Sequence, residues 1–183
     1  MNVTPPADVE ILISQDELRG RVEELAEDIQ RDFEGKSPVM VGVLQGAFVF
    51  MADLIRYLRL PLTVDFLRIS SYGNQVVTTG EVKILLDLTE PIANRPVILV
   101  EDIVDTGITM EYLKANLLAR QPESLAVCSL LQKASNTVRM IQPIDYLGFT
   151  VPDHFVVGYG LDYAGHFREL PYIGILPNGF AEQ

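Results

Sequence analysis

A short apolar run followed at once by acids, a glycine and threonines is the feature that most constrains the fold of this chain. The run is Val97–Val100, V-I-L-V, with β-branched residues at three of its four positions. Such a run is typical of a strand covered on both faces of a parallel sheet. Apolar residues then recur at helical spacing, which predicts a helix from near Thr109. The stretch therefore predicts a strand, an acidic loop and a helix, and ligands gather where such strands end.

The residues after the strand carry two kinds of chemistry. Thr106, Gly107 and Thr109 offer hydroxyls, backbone N–H groups and a helix N-terminus, which suit a phosphate. Glu101 and Asp102 would repel a phosphate and suit sugar hydroxyls, or a Mg²⁺ held partly by substrate oxygens. A phosphorylated ribose satisfies both halves. The alternative is an ordinary capped helix whose nearby acids are solvated, and the density of acids and threonines around one glycine counts against it.

Two other kinds of phosphate site are excluded by the spacing of residues. The chain has no G-x-x-x-x-G-K-[ST] sequence, so it has no P-loop. An aspartyl-phosphate phosphatase needs two aspartates separated by one residue, whereas two residues separate Asp102 from Asp105.

Composition narrows the class of protein. The 183 residues are 48% hydrophobic, which predicts one globular domain, 1–183, with a substantial core. The formal charge of −11 disfavours general binding to nucleic acid or anionic membranes. Cys128 is the only cysteine, and no apolar run is long enough to span a membrane or resembles a secretion leader, so we expect a cytoplasmic protein. Two histidines, His154 and His166, make a histidine-based metal site or a Ser-His relay a poor expectation.

The rest of the chain alternates between strand and helix patterns. Ser14 and Glu17 form a capping box before a helix whose apolar stripe runs to Phe33. Residues 135–143 are expected to be irregular. The further strands are predicted at 9–13, 39–44, 62–69, 81–87, 125–131, 155–159 and 172–176, and the further helices at 47–58 and 109–120.

Four separated segments resemble the hypoxanthine-guanine branch of the type I phosphoribosyltransferases. They are G-V-L-Q-G-A-F-V-F-M-A-D-L, S-S-Y-G, V-E-D-I-V-D-T-G-I-T-M, and F-V-V-G-Y-G-L-D-Y with F-R after it, and they span Gly42 to Arg168. The third segment by itself resembles any site for phosphoribosyl diphosphate (PRPP). The fourth segment, together with Lys133, resembles the 6-oxopurine enzymes.

The resemblance implies an α/β fold with a mainly parallel central sheet flanked by helices. The core would span roughly 36–160, and the terminal segments would form a small hood over the base site. It also implies a non-proline cis peptide between Leu44 and Gln45. The polar loop 70–80, which composition alone would class as a hairpin tip, would be a mobile lid with Ser71 and Tyr72 closing over the reacting centre.

For the sugar and phosphates, the resemblance implies roles for residues at two strand ends. Asp105 would act as general base or acid at N7 of the purine. Glu101 and Asp102 would bind the ribose hydroxyls and help organise Mg²⁺, and Asp162 would lie near a second Mg²⁺. The 5′-phosphate would be cradled by Thr106, Gly107, Ile108 and Thr109, and pyrophosphate would be held by Leu44, Gln45, Gly46 and Arg168. The family usually has Lys or Arg where this chain has Gln45, so only backbone donors are expected from that position.

For the base, the resemblance implies a second set of contacts. Lys133 would donate to the O6 oxygen, Phe155 would stack on the ring, and the Val156 backbone would contact its edge, with Asp162 close by. A lone lysine at a strand end is more often simply solvated, so this assignment depends on the resemblance.

The implied function is purine salvage. The enzyme would transfer phosphoribosyl from PRPP to hypoxanthine, and to guanine, with Mg²⁺, giving IMP or GMP and pyrophosphate, and would be a homo-oligomer, either dimer or tetramer. Two alternatives stay open: an enzyme of the same fold acting on xanthine or adenine, and a PRPP-sensing regulator that binds nucleic acid. The net charge of −11 and the complete set of base-side residues count against the regulator.

Overall fold

A computed structural model describes residues 9–71, 82–134 and 144–177. Its elements in chain order are β1 (Glu10–Ile13), α1 (Gln15–Asp32), β2 (Val39–Leu44), α2 (Phe48–Tyr57), β3 (Thr63–Ser71), β4 (Val82–Leu86), β5 (Pro96–Val104), α3 (Ile108–Leu118), β6 (Ser124–Lys133), β7 (Tyr146–Val151), β8 (Val156–Val157) and β9 (Ile173–Ile175).

A six-stranded sheet in the order β4-β3-β2-β5-β6-β7 organises the molecule. All neighbouring strands run parallel except β4, which pairs antiparallel with β3. β3 pairs with β4 as predicted, but it extends to Ser71, so Ser70 and Ser71 of the predicted loop are strand residues that pair with Lys83 and Val82. The mainly parallel α/β sheet flanked by helices is likewise confirmed.

The central strand β5 is covered on both faces, as its apolar run predicts. Ile98 and Val100 pack into the core cluster that contains the buried residues of α1 and α2. Val97 and Leu99, which alternate with them, pack into the cluster that contains the buried residues of α3. Helices α1 and α2 thus lie on one face of the sheet and α3 on the other. Burial on both faces holds β5 in place and thereby positions the turn that follows it.

The start of α1 follows the predicted capping box. The Ser14 hydroxyl accepts a hydrogen bond from the Glu17 N–H, and the Glu17 carboxylate accepts one from the Ser14 N–H at 2.8 Å. Two backbone N–H groups that have no partner within the helix are satisfied in this way.

The terminal segments meet in a separate antiparallel sheet, in the order β1-β9-β8. β8 is shorter than the strand predicted at 155–159, and β9 is shorter than the one predicted at 172–176. The single domain and the hood over the base stay predictions.

Two features of the sheet differ from the sequence interpretation. β5 continues to Val104, so Glu101 and Asp102 are strand residues rather than loop residues, because the ladder with β6 continues through Glu101–Ser129 and Ile103–Leu131. β7 was not predicted. Its sequence Y-L-G-F-T-V contains Gly148, where a Cβ would overlap the Leu130 carbonyl. The strand is therefore recognised by its pairing with β6 and not by a local pattern.

None of the helices in the described ranges is both long enough and apolar enough to cross a membrane.

Candidate active site

A pocket of about 240 Å³ opens where β2 and β5 end and α3 begins. Its walls contain Leu44 and Gly46 from the β2–α2 turn, and Asp105 from the turn after β5. The remaining lining residues are Val43, Ile69, Glu101, Asp102, Ile103, Val104, Thr106, Gly107, Thr109 and Met110. The structure therefore brings together most of the residues that the sequence predicts for the sugar and phosphates.

The N-terminus of α3 forms one end of this pocket. Gly107 precedes the helix at φ +81°, a left-handed conformation that suits glycine. No side chain caps the first amides of α3, and the Ile108 side chain is exposed. The N–H groups of the first turn are therefore available to an anion, and the helix dipole favours negative charge there.

Glu101 and Asp102 form a floor of unbalanced negative charge. Glu101 is buried, and within the described residues its Oε2 has no hydrogen-bond partner. Burial, with the neighbouring Asp102 charge, raises the pKa of Glu101 well above its usual value. Burial also raises the pKa of Asp102 to about 6, although the Ile103 N–H donates to its carboxylate at 2.9 Å. Both carboxylates would gain from a cation or from hydroxyl donors.

The tight turn between β2 and α2 is pressed against this floor. The Leu44–Gln45 peptide bond is cis, as the resemblance implies. A Cβ at Gly46 would overlap the Asp102 carboxylate, and a Cβ at Gly160 would overlap the Gly46 carbonyl. Only glycine at both positions allows the turn to lie between β5 and the segment after β8.

Arg168 lies at the outer side of the same turn. Its guanidinium contacts Asp162 Oδ1 at 2.7 Å and Gln45 Oε1 at 3.5 Å, and it also donates to the Gly160 carbonyl. Asp162 is further fixed by the Gly165 N–H, which donates to Oδ2 at 2.6 Å. The structure thus brings Gln45 together with Asp162 and Arg168, which lie more than 110 positions later in the sequence.

Within the described ranges, no three His, Cys, Asp or Glu side chains lie close enough together to hold a metal ion by themselves. Glu101, Asp102 and Asp162 are all carboxylates, the ligand type that Mg²⁺ prefers, and Glu101 has a buried oxygen without a partner. These residues fit Mg²⁺ as one or two carboxylate ligands per ion, with the remaining ligands supplied by substrate oxygens and water.

The predicted base end of the site is built on a lysine between two carboxylates. Lys133, the last residue of β6, has its Nζ 3.4 Å from Asp105 Oδ2 and 3.0 Å from Asp153 Oδ1. Burial lowers the pKa of Lys133, but the hydrogen bond to Asp153 and the charges of Asp105 and Asp153 outweigh that effect, so its pKa is raised. The side chain therefore stays an ammonium.

The aromatic contribution comes from the segment around β8. Phe155 is half exposed, and its ring meets Tyr163 edge to face at 5.7 Å between centroids. The Phe155 carbonyl accepts from the Leu176 N–H, and Val156 pairs with Ile175 across the small sheet. The Phe155 ring is thus carried by backbone that the C-terminal strand β9 holds in place.

A comparison with protein-family models matches residues 10–164 to the family described as "Phosphoribosyl transferase domain". The chain belongs to the phosphoribosyltransferase family. This confirms the family and the fold class to which the sequence motifs pointed.

The chain is similar in sequence and structure to several named phosphoribosyltransferases. The hypoxanthine phosphoribosyltransferase of Salmonella typhimurium is 46% identical over 91% of this chain and 94% of its own length. The bifunctional protein TilS/HprT of Listeria innocua is 46% identical over 91% of this chain, which spans only 26% of that longer protein. A crystal structure of a hypoxanthine-guanine phosphoribosyltransferase from Bacillus anthracis superposes with a TM-score of 0.87 at 45% identity, covering 92% of this chain and 98% of that one.

Sequence reasoning missed two contributors to the site and could not follow a third. Asp153 contacts Lys133 and has no local signal beyond its place two residues before the F-V-V-G-Y-G segment, and Gly160, the last residue of that segment, packs on the Gly46 turn. The predicted lid pair cannot be followed, because Ser71 ends β3 with its side chain outside the described residues and Tyr72 lies outside them altogether.

A larger groove of about 570 Å³ lies beside α1 and α2 and includes only Arg168 among the predicted site residues. The N-terminus of α3 and the buried carboxylates Glu101 and Asp102 line the smaller pocket and not this groove.

Proposed function

We propose that this phosphoribosyltransferase transfers the 5-phosphoribosyl group from PRPP to hypoxanthine, and to guanine, with Mg²⁺, giving IMP or GMP and pyrophosphate. The observation that carries the proposal is the charge pair at the base end, an Asp105 carboxylate 3.4 Å from the Lys133 ammonium. A 6-oxopurine needs both a proton acceptor near N7 and a donor to its 6-oxygen, and this pair offers the two.

The sugar end supports the transfer itself. Displacement of pyrophosphate from C1 builds positive charge on the ribose ring, and the Glu101 and Asp102 carboxylates would stabilise that charge from below. The N–H groups at the start of α3 would hold the 5′-phosphate and thereby fix the position of C1.

The leaving group would be held by the β2–α2 turn and by Arg168. The Arg168 guanidinium, which already lies 3.5 Å from Gln45, supplies charge-assisted donors for pyrophosphate. Glu101 and Asp102 would help to hold one Mg²⁺ and Asp162 a second, together with substrate oxygens, and the metal charge would neutralise charge on the pyrophosphate.

The base end supports a 6-oxopurine over adenine. Asp105 would take the proton that the purine nitrogen sheds as the new bond forms. Lys133 has donors only, so it pairs with a 6-oxygen and not with a 6-amino group. Phe155 would stack on the base, and the Val156 backbone would meet its edge. The names of the relatives agree with this base class, and no observation favours xanthine, adenine or a nucleic-acid-binding regulator.

A panel of bases tests the proposal. The purified protein would be incubated with PRPP, Mg²⁺ and hypoxanthine, guanine, xanthine or adenine in turn, and nucleotide formation would be followed by absorbance. We expect hypoxanthine and guanine to react and adenine to react only in trace. Asp105→Asn prepared in parallel detects a contaminating host enzyme, because only the contaminant's rate would survive the substitution. Failure of every 6-oxopurine would overturn the assignment.

We also propose that the protein is a homo-oligomer. Phe48 and Tyr57 of α2 are large side chains with exposed fractions of 44% and 38%, and both line the 570 Å³ groove. Exposed aromatic rings on one helix support a contact with a second copy. Light scattering after size exclusion would give the mass, and a monomer at micromolar concentration would contradict the proposal. The single, buried Cys128 supports a reducing, cytoplasmic location.

A further inference from the structure

Asp153 completes a row of alternating charges across the edge of the sheet. It follows the end of β7 and places Oδ1 3.0 Å from the Lys133 Nζ at the end of β6. Asp105, after the end of β5, approaches the same ammonium from the other side at 3.4 Å. Because β5, β6 and β7 are neighbours in this order, the ends of three consecutive strands present a negative, a positive and a negative group.

Burial and distance show which of the two acids is the closer partner of the Lys133 ammonium. Its side chain is 14% exposed, against 54% for Asp105 and 63% for Asp153. An ammonium so far removed from water needs a close partner, and the shorter contact is the one with Asp153. Asp153 is therefore its main partner, and Asp105 lies at a looser distance.

Loss of the Asp153 carboxylate would change the pairing of the Lys133 ammonium. Of the two acids, only Asp105 would remain, and the contact between Lys133 and Asp105 would shorten. A tight pair would occupy the carboxylate oxygen that the purine proton requires. It would also draw the Lys133 donors away from the position of a 6-oxygen.

We propose that Asp153 is a positioning residue that holds the Lys133 ammonium on the β7 side of the base site. Asp105 then keeps an oxygen free for the purine nitrogen. Of the three N–H donors of Lys133, two face carboxylates and one is left for the 6-oxygen. The inference rests on the proposed function, whose base-side roles for Asp105 and Lys133 it deepens. The raised pKa of Lys133 agrees with it, since the hydrogen bond to Asp153 is the largest of the effects that raise it.

The test is a double-mutant cycle between Asp153→Asn and Lys133→Met. Asp153→Asn should lower kcat/KM for hypoxanthine about three- to tenfold, the range for coupling between contacting charges, while the KM for PRPP stays unchanged. In the Lys133→Met background the same substitution should have no further effect, because the group it positions is gone. Asp153→Glu, which keeps the charge, should restore most of the activity.

A matched control is Asp28→Asn. It removes a carboxylate that pairs with Arg31 at 2.8 Å on α1, remote from the site, and should leave kcat/KM unchanged. Thermal unfolding of each variant checks that the fold is retained, which we expect because the Asp153 side chain is largely exposed.

A crystal structure of the Asp153→Asn protein gives a readout that does not depend on activity. The Lys133 Nζ–Asp105 Oδ2 distance should shorten from 3.4 Å to about 2.8 Å, the usual length of a charge-assisted hydrogen bond. An unchanged distance with wild-type kcat/KM would overturn the inference, as would an equal loss in the Lys133→Met background. If the wild-type protein does not convert hypoxanthine, the proposed function fails, and the crystallographic distance still tests the positioning by itself.

Discussion

The two ends of the site manage charge in opposite ways. At the sugar end, Glu101 is buried with an oxygen that lacks a partner within the described residues, and the pKa values of Glu101 and Asp102 are raised. At the base end, Asp105, Lys133 and Asp153 satisfy one another across neighbouring strand ends. At one end a buried carboxylate oxygen lacks a partner until a ligand binds, whereas at the other end each charged side chain already contacts a group of opposite charge.

The difference matches what each end is proposed to bind. PRPP with Mg²⁺ brings a cation and hydroxyl donors. Carboxylates that lack partners in the free protein therefore gain interactions when PRPP and Mg²⁺ bind. A purine base is neutral and is recognised by the direction of its hydrogen bonds, so the groups that recognise it need fixed positions more than excess charge.

Removal of Mg²⁺ should have the largest effect, because it leaves the sugar end incomplete. Arg168, the cation proposed to hold the leaving group, is already paired with Asp162 at 2.7 Å. We expect EDTA-treated protein to lose essentially all nucleotide formation and to recover it when Mg²⁺ is restored. Full rate in the presence of EDTA would contradict the proposed handling of pyrophosphate.

Asp105→Asn should lower turnover next most strongly. The substitution keeps shape and hydrogen bonding but removes the proton acceptor, so we expect kcat to fall by about 10² or more. PRPP affinity, measured by calorimetry, should change little because the sugar end is intact. Wild-type turnover in this variant would remove Asp105 from the proton transfer.

Lys133→Ala should change the choice of base. A lost charge-assisted hydrogen bond costs about 2–4 kcal/mol, so kcat/KM for hypoxanthine and guanine should fall roughly 30- to 1,000-fold. The trace adenine rate should stay almost constant, which narrows the gap between the bases. Lys133→Gln sharpens the measurement, because a carboxamide oxygen can accept from a 6-amino group and should raise adenine use. If both variants kept the wild-type preference, another residue would be the discriminator.

The smallest effect concerns the stability of the metal-free protein. The folded-state pKa of Asp102, about 6, lies above the ordinary value of 3.8, so the folded protein binds this proton more tightly than the unfolded chain. The resulting stabilisation, about 3 kcal/mol, is fully present below about pH 4 and is lost as pH rises through 6. Glu101, with its raised pKa, acts in the same direction.

Denaturant titrations between pH 4 and 7 in EDTA measure this effect. Asp102→Asn should flatten the decline in the free energy of unfolding, and Asp28→Asn, on α1, should leave it as in the wild type. An equal decline in Asp102→Asn would show that the carboxylate is not destabilised by burial.

The local elements could be predicted from the sequence because they depend on residues that are close together in the chain. The apolar run Val97–Val100 and the glycine and threonines that follow predict a covered strand leading into a helix, and both elements are present. The Ser14–Glu17 capping box is likewise a contact between residues three apart. The motifs also led to the family, the fold class and the cis bond after Leu44.

What only the tertiary structure decided depends on which strand ends lie side by side. Glu101 and Asp102 follow an apolar run and look like loop residues, yet the ladder with β6 keeps them in the strand and buries Glu101. Gly160 must lack a Cβ because its segment packs on the Gly46 carbonyl, 114 positions earlier, and a Cβ at Gly46 would overlap the Asp102 carboxylate on β5. Asp153 has no signal of its own, since its partner Lys133 is reached only by the pairing of β6 with β7, a strand that the sequence pattern did not predict. Periodicity describes neighbours along the chain, whereas the balance of charge at the site is set by neighbours across the sheet.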